Sequence, residues 1–363
     1  ALDDYTLQFK LDYANPLFPE LLESEAASPC NQEFFEKTMG QYGLSRDTII
    51  SNGPFYLSEW AVNQESSSYV RIRTNSFYPS AEDIQISGVN FTARDESEAF
   101  DSLVSGDIHM AVLSTLQKDG FNESRYQVTK FSNAVYGIGI RQDDPIFSNG
   151  DLRLALASCI DRDSYSGMLT ADQEVARAII PNAVTVLDQN YRQDVGDNFA
   201  IPYQKEEAAA RLKRGLNAKG ISDLNSVVML VPEGCEEVAQ QLLQIWQRDL
   251  GIFMQMDSEP EETYQKKLKA GDFSIAFLQL ASQADTPASI LSSFTTGSSA
   301  NILHYSSAAY DRIYKEALVQ GSIPAMEEKF KVAEQCIIND ASFIPIYFQN
   351  QYKIIAEKKL LGI

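Results

Sequence analysis

The sequence of 363 residues is poor in the residue types on which most catalytic and metal sites depend. It contains two histidines, His109 and His304, and four cysteines, none of which lies close to another in sequence. Zinc sites need cysteine or histidine ligands at short spacing, so we expect none. Two histidines are also few for acid–base catalysis, and the GxSxG, HExxH and P-loop motifs are missing. The sequence therefore predicts a protein without catalysis, metal or cofactor.

Basic residues are also in short supply. Lysine and arginine total 30 against 50 acidic residues, which gives a formal net charge of −20. Nucleic acids and anionic lipid surfaces are bound through basic faces, so neither is an expected partner. No run of about eighteen apolar residues occurs, and no membrane-spanning helix is expected. The first residues, ALDDYTLQFKL, already alternate like a strand, which indicates a piece of a longer protein with any export signal upstream.

The chain does contain material for two domains, with 44% hydrophobic residues and no repeats. Strands dominate the first part, where we predict strands at 4–11, 69–74, 84–91 and 126–141 and a helix at 96–107. Later, helices alternate with apolar strands: helices at 151–165, 203–219, 236–250 and 261–270, strands at 227–231, 252–256 and 273–280. Such alternation predicts an α/β fold with a parallel sheet covered by helices.

Residues 51–60, SNGPFYLSEW, form the most informative short segment. Gly53 and Pro54 predict a turn, and Phe55, Leu57 and Trp60 predict a following strand that faces a core. Taken alone, this pattern indicates an ordinary turn into a strand.

The same block resembles a signature of the extracytoplasmic solute-binding proteins of ABC importers, of the oligopeptide and dipeptide type (family 5). Four further blocks resemble that family in the expected order, and together they run from about residue 4 to residue 355. His109 stands in one of them where an aspartate is usual. The four blocks are LVSGDIHM at 103–110, the helix with Arg153, Asp161 and Arg162, ILHYSSAAYDRIYKEAL at 302–318 and IPIYFQNQYKII at 344–355.

The resemblance implies a two-lobe periplasmic-binding-protein-like fold of type II. Lobe one would comprise residues 1–142 and 346–363, and lobe two residues 143–345. Two strands, near 138–143 and 343–348, would cross between the lobes as a hinge, and the ligand would lie in a cleft that closes around it. An N-terminal portion and the extreme C-terminus of the family's layout would be absent.

The loop at 278–289 is the first candidate for ligand contact. In the peptide-binding relatives, it carries an aromatic residue and then an aspartate that pairs with the peptide's amino terminus. Alignment on Pro287 places Leu280 and Gln283 at these two positions. Glutamine accepts a hydrogen bond from an ammonium group but does not neutralise it. Asp285 is expected to supply the charge in its place, or else to cap the helix that follows.

Other candidates come from the same resemblance. Tyr136 precedes the hinge strand, where relatives place an aromatic residue against the ligand, although a core tyrosine fits equally well. Tyr347 and Asn350 lie on the return strand, where alternation sends some side chains to the cleft and others to the core. Asn301 and His304 flank a loop before a Tyr-Ser pair, and a structural role for His304 is the alternative. Arg153 and Asp161 are expected to stabilise the fold.

These features predict the substrate-binding subunit of an ABC importer, monomeric and extracytoplasmic, in the periplasm or lipid-anchored on the outer face of the cell membrane. It would capture peptides or peptide-like solutes and deliver them to permease subunits in the membrane. Main-chain hydrogen bonds would supply most of the binding. Alternatives are a metal chelate, haem or an oligosaccharide as ligand within the same family, or a surface chaperone or interaction protein. A hydrolase has no supporting residues.

Overall fold

A computed structural model describes residues 2–3, 6–23, 27–61, 68–116, 125–187, 189–282 and 286–356. The chain forms two compact units. Unit 1 comprises Ala1–Glu20 and Phe131–Gln351, and unit 2 comprises Leu21–Lys130 and Tyr352–Ile363. Unit 1 resumes at Phe131, 12 residues before the predicted start of lobe two at 143, and unit 2 resumes at Tyr352, 6 residues after the predicted return at 346. Residues 1–20, predicted in lobe one, are grouped with residues 131–351. The lobes and the hinge positions remain a prediction.

The helices and strands of the described residues, in chain order, are α1 (Phe18–Glu23), α2 (Gln32–Lys37), β1 (Phe55–Ala61), β2 (Tyr69–Thr74), β3 (Gly88–Thr92), α3 (Glu96–Ser105), β4 (Met110–Leu113), β5 (Tyr126–Ile140), α4 (Gly150–Ser158), α5 (Arg162–Tyr165), β6 (Gln173–Val175), β7 (Thr185–Val186), β8 (Gln189–Asn190), α6 (Tyr191–Val195), α7 (Lys205–Lys219), β9 (Val228–Pro232), α8 (Glu236–Leu250), β10 (Gln255–Glu259), α9 (Glu261–Ala270), β11 (Ile275–Ala281), α10 (Pro287–Leu291), α11 (Ala308–Leu318), α12 (Ile323–Asn339) and β12 (Phe343–Ala356). In this part of the chain, no helix is both long and apolar enough to cross a membrane.

Unit 1 is built on a sheet with the strand order β10–β9–β11–β5–β12, and β6 also pairs with β12. Strand β9 runs parallel to β10 and to β11, as the strand–helix alternation predicts. Strand β11 instead runs antiparallel to β5, from Ile275 opposite Ile140 to Ala281 opposite Ala134. The predicted parallel sheet is therefore a mixed one, because β5 comes from a distant part of the chain and no crossover helix sets its direction.

Two core clusters lie on opposite faces of this sheet. Successive side chains of β11 point to opposite faces, so Phe277 belongs to the first core and Leu278 to the second. Helix α8 covers the first core with Leu242 and Trp246, whose indole nitrogen donates a hydrogen bond to the carbonyl of Leu156 at 3.1 Å. The second core is covered by α9, α10, α11 and α12.

The helix predicted at 151–165 is broken in two. Helix α4 ends at Ser158, and Asp161 caps α5 by accepting hydrogen bonds from the backbone of Asp163 and Ser164. The buried guanidinium of Arg162 donates to the carbonyls of three distant residues, Ala176, Ile201 and Pro345. Arg153 donates to the carbonyls of Asp340 and Phe147 at 2.8 and 2.7 Å. These motif residues hold backbone segments together, as a structural role requires.

Unit 2 contains an antiparallel sheet of β1, β2 and β3. Phe55 and Leu57 share a face of this sheet by alternation, and a register shift between Leu57 and Glu59 brings Trp60 to that face as well, opposite Val70. The expectation that they face a core is not met, because none is buried and Trp60 is 40% exposed. A separate small core includes Phe100 and Leu103 of α3, Ala111 and Leu113 of β4, and Tyr126 at the start of β5.

The strand predicted at 4–11 is wrong over the described residues, which show an isolated bridge between Asp3 and Thr6 but no strand at 7–11. An alternating pattern gives a strand only where a partner strand is available to pair with it.

Candidate functional site

The parallel strands of unit 1 end together at one edge of the sheet, which we call the carboxyl edge. Strand β9 leads into α8, which packs on the first core, whereas its neighbour β11 leads toward α10, which packs on the second. The helices that follow these two strands thus pack on opposite faces of the sheet. In open α/β sheets, ligands bind in the crevice that such a divergence creates outside the carboxyl ends of the strands. Helix α9, which follows the other neighbour β10, also packs on the second core, so the topology favours a ligand at the carboxyl edge on either side of β9.

Three aromatic rings from the adjacent strands β11, β5 and β12 pack against one another near this edge, and we call them the aromatic row after the order of their strands. Tyr136 of β5 stacks on Tyr347 of β12, with ring centroids 4.8 Å apart and ring planes 7° apart. Phe277 of β11 lies against both rings, with its centroid 6.3 Å from that of Tyr136 and 6.2 Å from that of Tyr347. Tyr347 is 3% exposed and Tyr136 is half-buried, so Tyr136 is the accessible member of this aromatic row.

The aromatic row lies in a neutral to negative environment. Burial raises the pKa of Tyr136, and the nearby Cys235 and Glu261 raise it further. Burial also raises the pKa of Cys235 to about 11, and this thiol is hydrogen-bonded to the hydroxyl of Tyr347. Tyr136 and Cys235 are therefore uncharged at neutral pH. Among the described residues, no cationic side chain contributes to the pKa of either group.

Leu280 and Asn350 belong to the other face of the same sheet. Leu280 lies opposite Val135 and packs against the second core, while Gln279 lies opposite Tyr136. Asn350 shares a face with Phe348, two residues earlier on β12, which is also part of the second core. The structure thus brings Tyr136 and Tyr347 into contact, and Leu280 and Asn350 lie on the opposite face.

Asn350 is unusual because it is completely buried and its side-chain amide has no hydrogen-bond partner in the described part of the chain. Its backbone N–H donates to the carbonyl of Asp172 at 2.8 Å. Buried amides are almost always hydrogen-bonded, and an unpaired one has a free-energy cost of about 1–3 kcal/mol. Such a group on a predicted ligand-binding strand calls for an explanation.

Asn301 is fully engaged within its own loop. Its amide nitrogen donates to the carbonyls of Thr295 and Tyr305 at 3.1 and 2.8 Å, and its amide oxygen accepts from the backbone N–H of Tyr305 at 3.0 Å. Both amide hydrogens are used in these bonds, so the contacts favour a structural role.

His304 lies at the opposite edge of the sheet. Its Nδ1 is 2.8 Å from a carboxylate oxygen of Asp143, which follows the end of β5 at Ile140. Arg141 binds the same carboxylate and is the main reason why the pKa of Asp143 is lowered. Tyr136 is four residues, or about 13 Å, from Ile140 along β5. His304 and Tyr136 are therefore not brought together.

Two predicted residues, Gln283 and Asp285, lie outside the described residues. The structure adds two candidates that the sequence did not indicate. Gln279 is exposed on the same face as Tyr136, and Glu261 begins α9 at the carboxyl edge. Neither belongs to a recognisable motif, and the pairing between β11 and β5 that places Gln279 has no local sequence signal.

Three surface depressions of unit 1 do not involve the predicted residues. One is lined by residues 203–207, another by α11 and a third by α7 with Asp249 and Leu250. In the described part of the chain, no group of three or more histidine, cysteine or acidic side chains could hold a metal ion.

Comparison with known proteins agrees with the fold. Residues 1–301 match the family described as bacterial extracellular solute-binding proteins, family 5 Middle. The chain is 22% identical over 362 residues to the dipeptide-binding protein DppE of Bacillus subtilis, covering 99% of this chain and 66% of that protein. It is also 22% identical to the oligopeptide-binding protein OppA of Bacillus subtilis, covering 96% of this chain and 65% of that protein. It therefore spans about two thirds of the length of these relatives.

A solved structure has the same fold as this chain. The substrate-binding domain of an oligopeptide ABC transporter from Bacillus anthracis superposes with a TM-score of 0.68 at 20% identity, covering 95% of this chain and 68% of that one. The predicted fold class is thereby confirmed.

Proposed function

Since the chain belongs to family 5 of the bacterial extracellular solute-binding proteins, we propose that it is the substrate-capture part of an ABC importer and binds a peptide or peptide-like solute. Two relatives are named as dipeptide- and oligopeptide-binding proteins. The protein would act outside the cytoplasm as a monomer, anchored in the membrane by lipid or free in a periplasm. It would release its ligand to permease subunits and perform no catalysis.

The observation that carries this proposal is the aromatic row at the carboxyl edge, with Gln279 exposed on the same face of the sheet. A peptide offers N–H and C=O groups in alternation, which polar groups along a strand can pair with. In this proposal the exposed amide of Gln279 bonds to the ligand backbone, and Tyr136, on the same face, packs against a ligand side chain. The unpaired amide of Asn350, on the opposite face, is tested separately below. Water would fill the space around other side chains and adapt to each. A micromolar affinity requires only about −8 kcal/mol in total.

The function is tested by titrating the purified protein with a defined pool of short peptides. Saturable one-to-one binding, and peptides retained in native mass spectra of the protein as purified, are the expected results. Peptides recovered intact after incubation would exclude hydrolysis. Binding only to unfolded proteins, without saturation by short peptides, would favour a chaperone, and retention of a metal chelate, haem or oligosaccharide would replace the peptide as ligand.

Replacing Asn350 with leucine separates a ligand contact from a structural role. Leucine has a similar size and removes the unpaired buried amide, so the melting temperature should not fall. Loss of a ligand hydrogen bond should weaken peptide binding by about tenfold, which corresponds to about 1.4 kcal/mol. Calorimetric titration and thermal unfolding measure the two effects.

Asn301→Leu is the matched control, because it breaks three hydrogen bonds within its own loop. It should lower the melting temperature and leave the affinity of the folded protein unchanged. Unchanged peptide affinity in Asn350→Leu would remove Asn350 from the proposed site.

A further inference from the structure

We propose that the carboxyl edge selects ligands with a flat aromatic side chain, which stacks on the face of the Tyr136 ring turned away from Tyr347 and lies above the exposed Gln279. This inference rests on the proposed peptide-binding function and adds the class of side chain that the site prefers. It is carried by the ring geometry of the aromatic row and by the cross-strand pair of Tyr136 with Gln279.

The stack of Tyr136 on Tyr347 fixes the direction of both faces of the Tyr136 ring. The two centroids are 4.8 Å apart and the ring planes differ by 7°. This separation matches the distance of about 4.7–4.9 Å between neighbouring strands of a sheet. Strand β5 lies between β12 and β11, so the face that is turned away from Tyr347 lies on the side of β11. We call it the second face of Tyr136.

Phe277 does not cover the second face, although it belongs to β11. Its centroid is 6.3 Å from that of Tyr136 and 6.2 Å from that of Tyr347. A ring stacked on the second face would be much farther from Tyr347 than from Tyr136. The nearly equal distances therefore place Phe277 beside the stack. Among the described residues, no other aromatic ring packs on Tyr136.

Gln279 occupies the strand position next to the second face. It lies directly opposite Tyr136 in the antiparallel pairing of β11 with β5. Residues opposite each other have Cβ atoms about 4.5–5.5 Å apart on the same face of the sheet. Phe277, two residues earlier on this face, is fully buried, whereas Gln279 is exposed. The space above Gln279 is therefore open to solvent and lies beside the half-buried Tyr136 ring.

Strand β9 ends too early to close this space from the other side. Strand β11 pairs with β9 at Ile275 and Ala276, before Gln279 is reached. Strand β9 ends at Pro232, and the chain then turns into α8, which begins at Glu236. Within the described ranges, no paired strand lies beside Gln279 on the side away from β5.

A flat ring is the ligand group that suits this arrangement. It would lie on the second face of Tyr136 and extend the stack by one member, with the methylene groups of Gln279 beneath it. Stacked aromatic pairs contribute more to binding than the apolar area they bury, whereas a saturated ring of the same size gains the burial alone. The amide of Gln279 would bond to the backbone of the same ligand residue and so orient its side chain.

Three tripeptides that differ only in the central side chain provide the test: Ala-Phe-Ala, Ala-cyclohexylalanine-Ala and Ala-Ala-Ala. Calorimetric titration of the wild-type protein measures their dissociation constants. We expect the phenylalanine peptide to bind about fivefold more tightly than the cyclohexylalanine peptide, as an aromatic pair predicts. The alanine peptide should bind most weakly, because it buries the least apolar surface.

Two variants locate this preference, and the affinity ratio of the phenylalanine and cyclohexylalanine peptides is the measurement. In Gln279→Trp, the indole would fill the space above β11, and the exposed position accepts it without a change in the core. The ratio should lose its preference for phenylalanine, even though loss of the amide weakens both peptides. Tyr136→Leu removes the ring and should lose the preference as well, whereas Tyr136→Phe keeps the ring and should retain it.

Tyr314→Leu is the matched control, because Tyr314 is a partly buried tyrosine that stacks on Tyr310 in the second core. It should retain the phenylalanine preference. If the peptides bind but the wild-type protein shows no such preference, the aromatic subsite is refuted and the peptide-binding function stands. The same conclusion follows if folded Tyr136→Leu or Gln279→Trp keeps the full preference. If no peptide binds to the wild-type protein, the proposed function itself fails, and the inference with it.

Discussion

Replacing Arg192 with methionine is expected to lower the free energy of unfolding by about 3–5 kcal/mol. The guanidinium of Arg192 pairs with the carboxylate of Glu334, and the side chains are 8% and 0% exposed. The same carboxylate accepts hydrogen bonds from the backbone N–H groups of Ile179 and Ile180 at 2.6 and 2.9 Å. Removal of the arginine would leave a buried negative charge without its counter-ion. Such a charge has a far larger cost than the absence of the whole pair.

The measurement is urea unfolding followed by the fluorescence of Trp246, which is buried in the first core of unit 1. A Trp60→Phe background removes the other tryptophan of the chain. The double variant Arg192→Met with Glu334→Gln should regain a substantial part of the lost stability, because it no longer buries a charge. A single variant as stable as the parent, or a double variant less stable than the single one, would contradict this account.

Replacing Glu327 with glutamine is expected to stabilise the protein by on the order of 2 kcal/mol at pH 8.5 and to have little effect below pH 4.5. Glu327 is buried on α12, and one of its carboxylate oxygens has no partner in the described part of the chain. Burial, and then the carboxylate of Asp194 within hydrogen-bonding distance, raise its pKa from 4.5 to about 7.

The direction of the pH effect follows from this raised pKa. The folded state binds a proton more tightly than the unfolded state, so the contribution of Glu327 to stability is complete below about pH 4.5. It is lost as the pH rises through about 7, where the buried group ionises beside Asp194. Glutamine stays neutral throughout and avoids that loss.

The other charged or titratable groups near Glu327 come from two helices. Helix α6 contributes Tyr191 and Arg192 besides Asp194, and α12 contributes Glu328 and Glu334, the latter already paired with Arg192. Urea unfolding at several pH values provides the measurement. Glu328→Gln is the control, because Glu328 is exposed and should give a flat difference. A stability difference for Glu327→Gln that does not change between pH 4.5 and 8.5 would rule out the ionisation of Glu327 as its cause.

Much of unit 1 was predictable because its signals are local. The apolar spacing of Val238, Leu242 and Trp246 predicted α8, and Gly251 ends it with a φ of 69°, which favours glycine. The alternation of strands and helices likewise predicted that β9, β10 and β11 run parallel. Family blocks supplied the fold class, and the hinge, the cleft and the roles of Gln283 and Asp285 stay predictions.

The candidate site was less predictable, because its members come from distant parts of the chain. Tyr136 and Tyr347 were both expected near a ligand, but their stacking depends on strands that are about 200 residues apart in sequence. Asn301 and His304 carry suitable side chains, yet their loop lies at the other edge of the sheet.

The sequence by itself determined most of the helices and strands of unit 1 and that its sheet has helices on its faces. Only the tertiary structure decided that β11 pairs antiparallel with β5, that Tyr136 stacks on Tyr347, and that Arg192 and Glu334 meet. Helices and turns are set by neighbouring residues through backbone preferences and periodic burial. Strand pairing and buried charge pairs are set by packing between segments far apart in the chain, which no local pattern encodes.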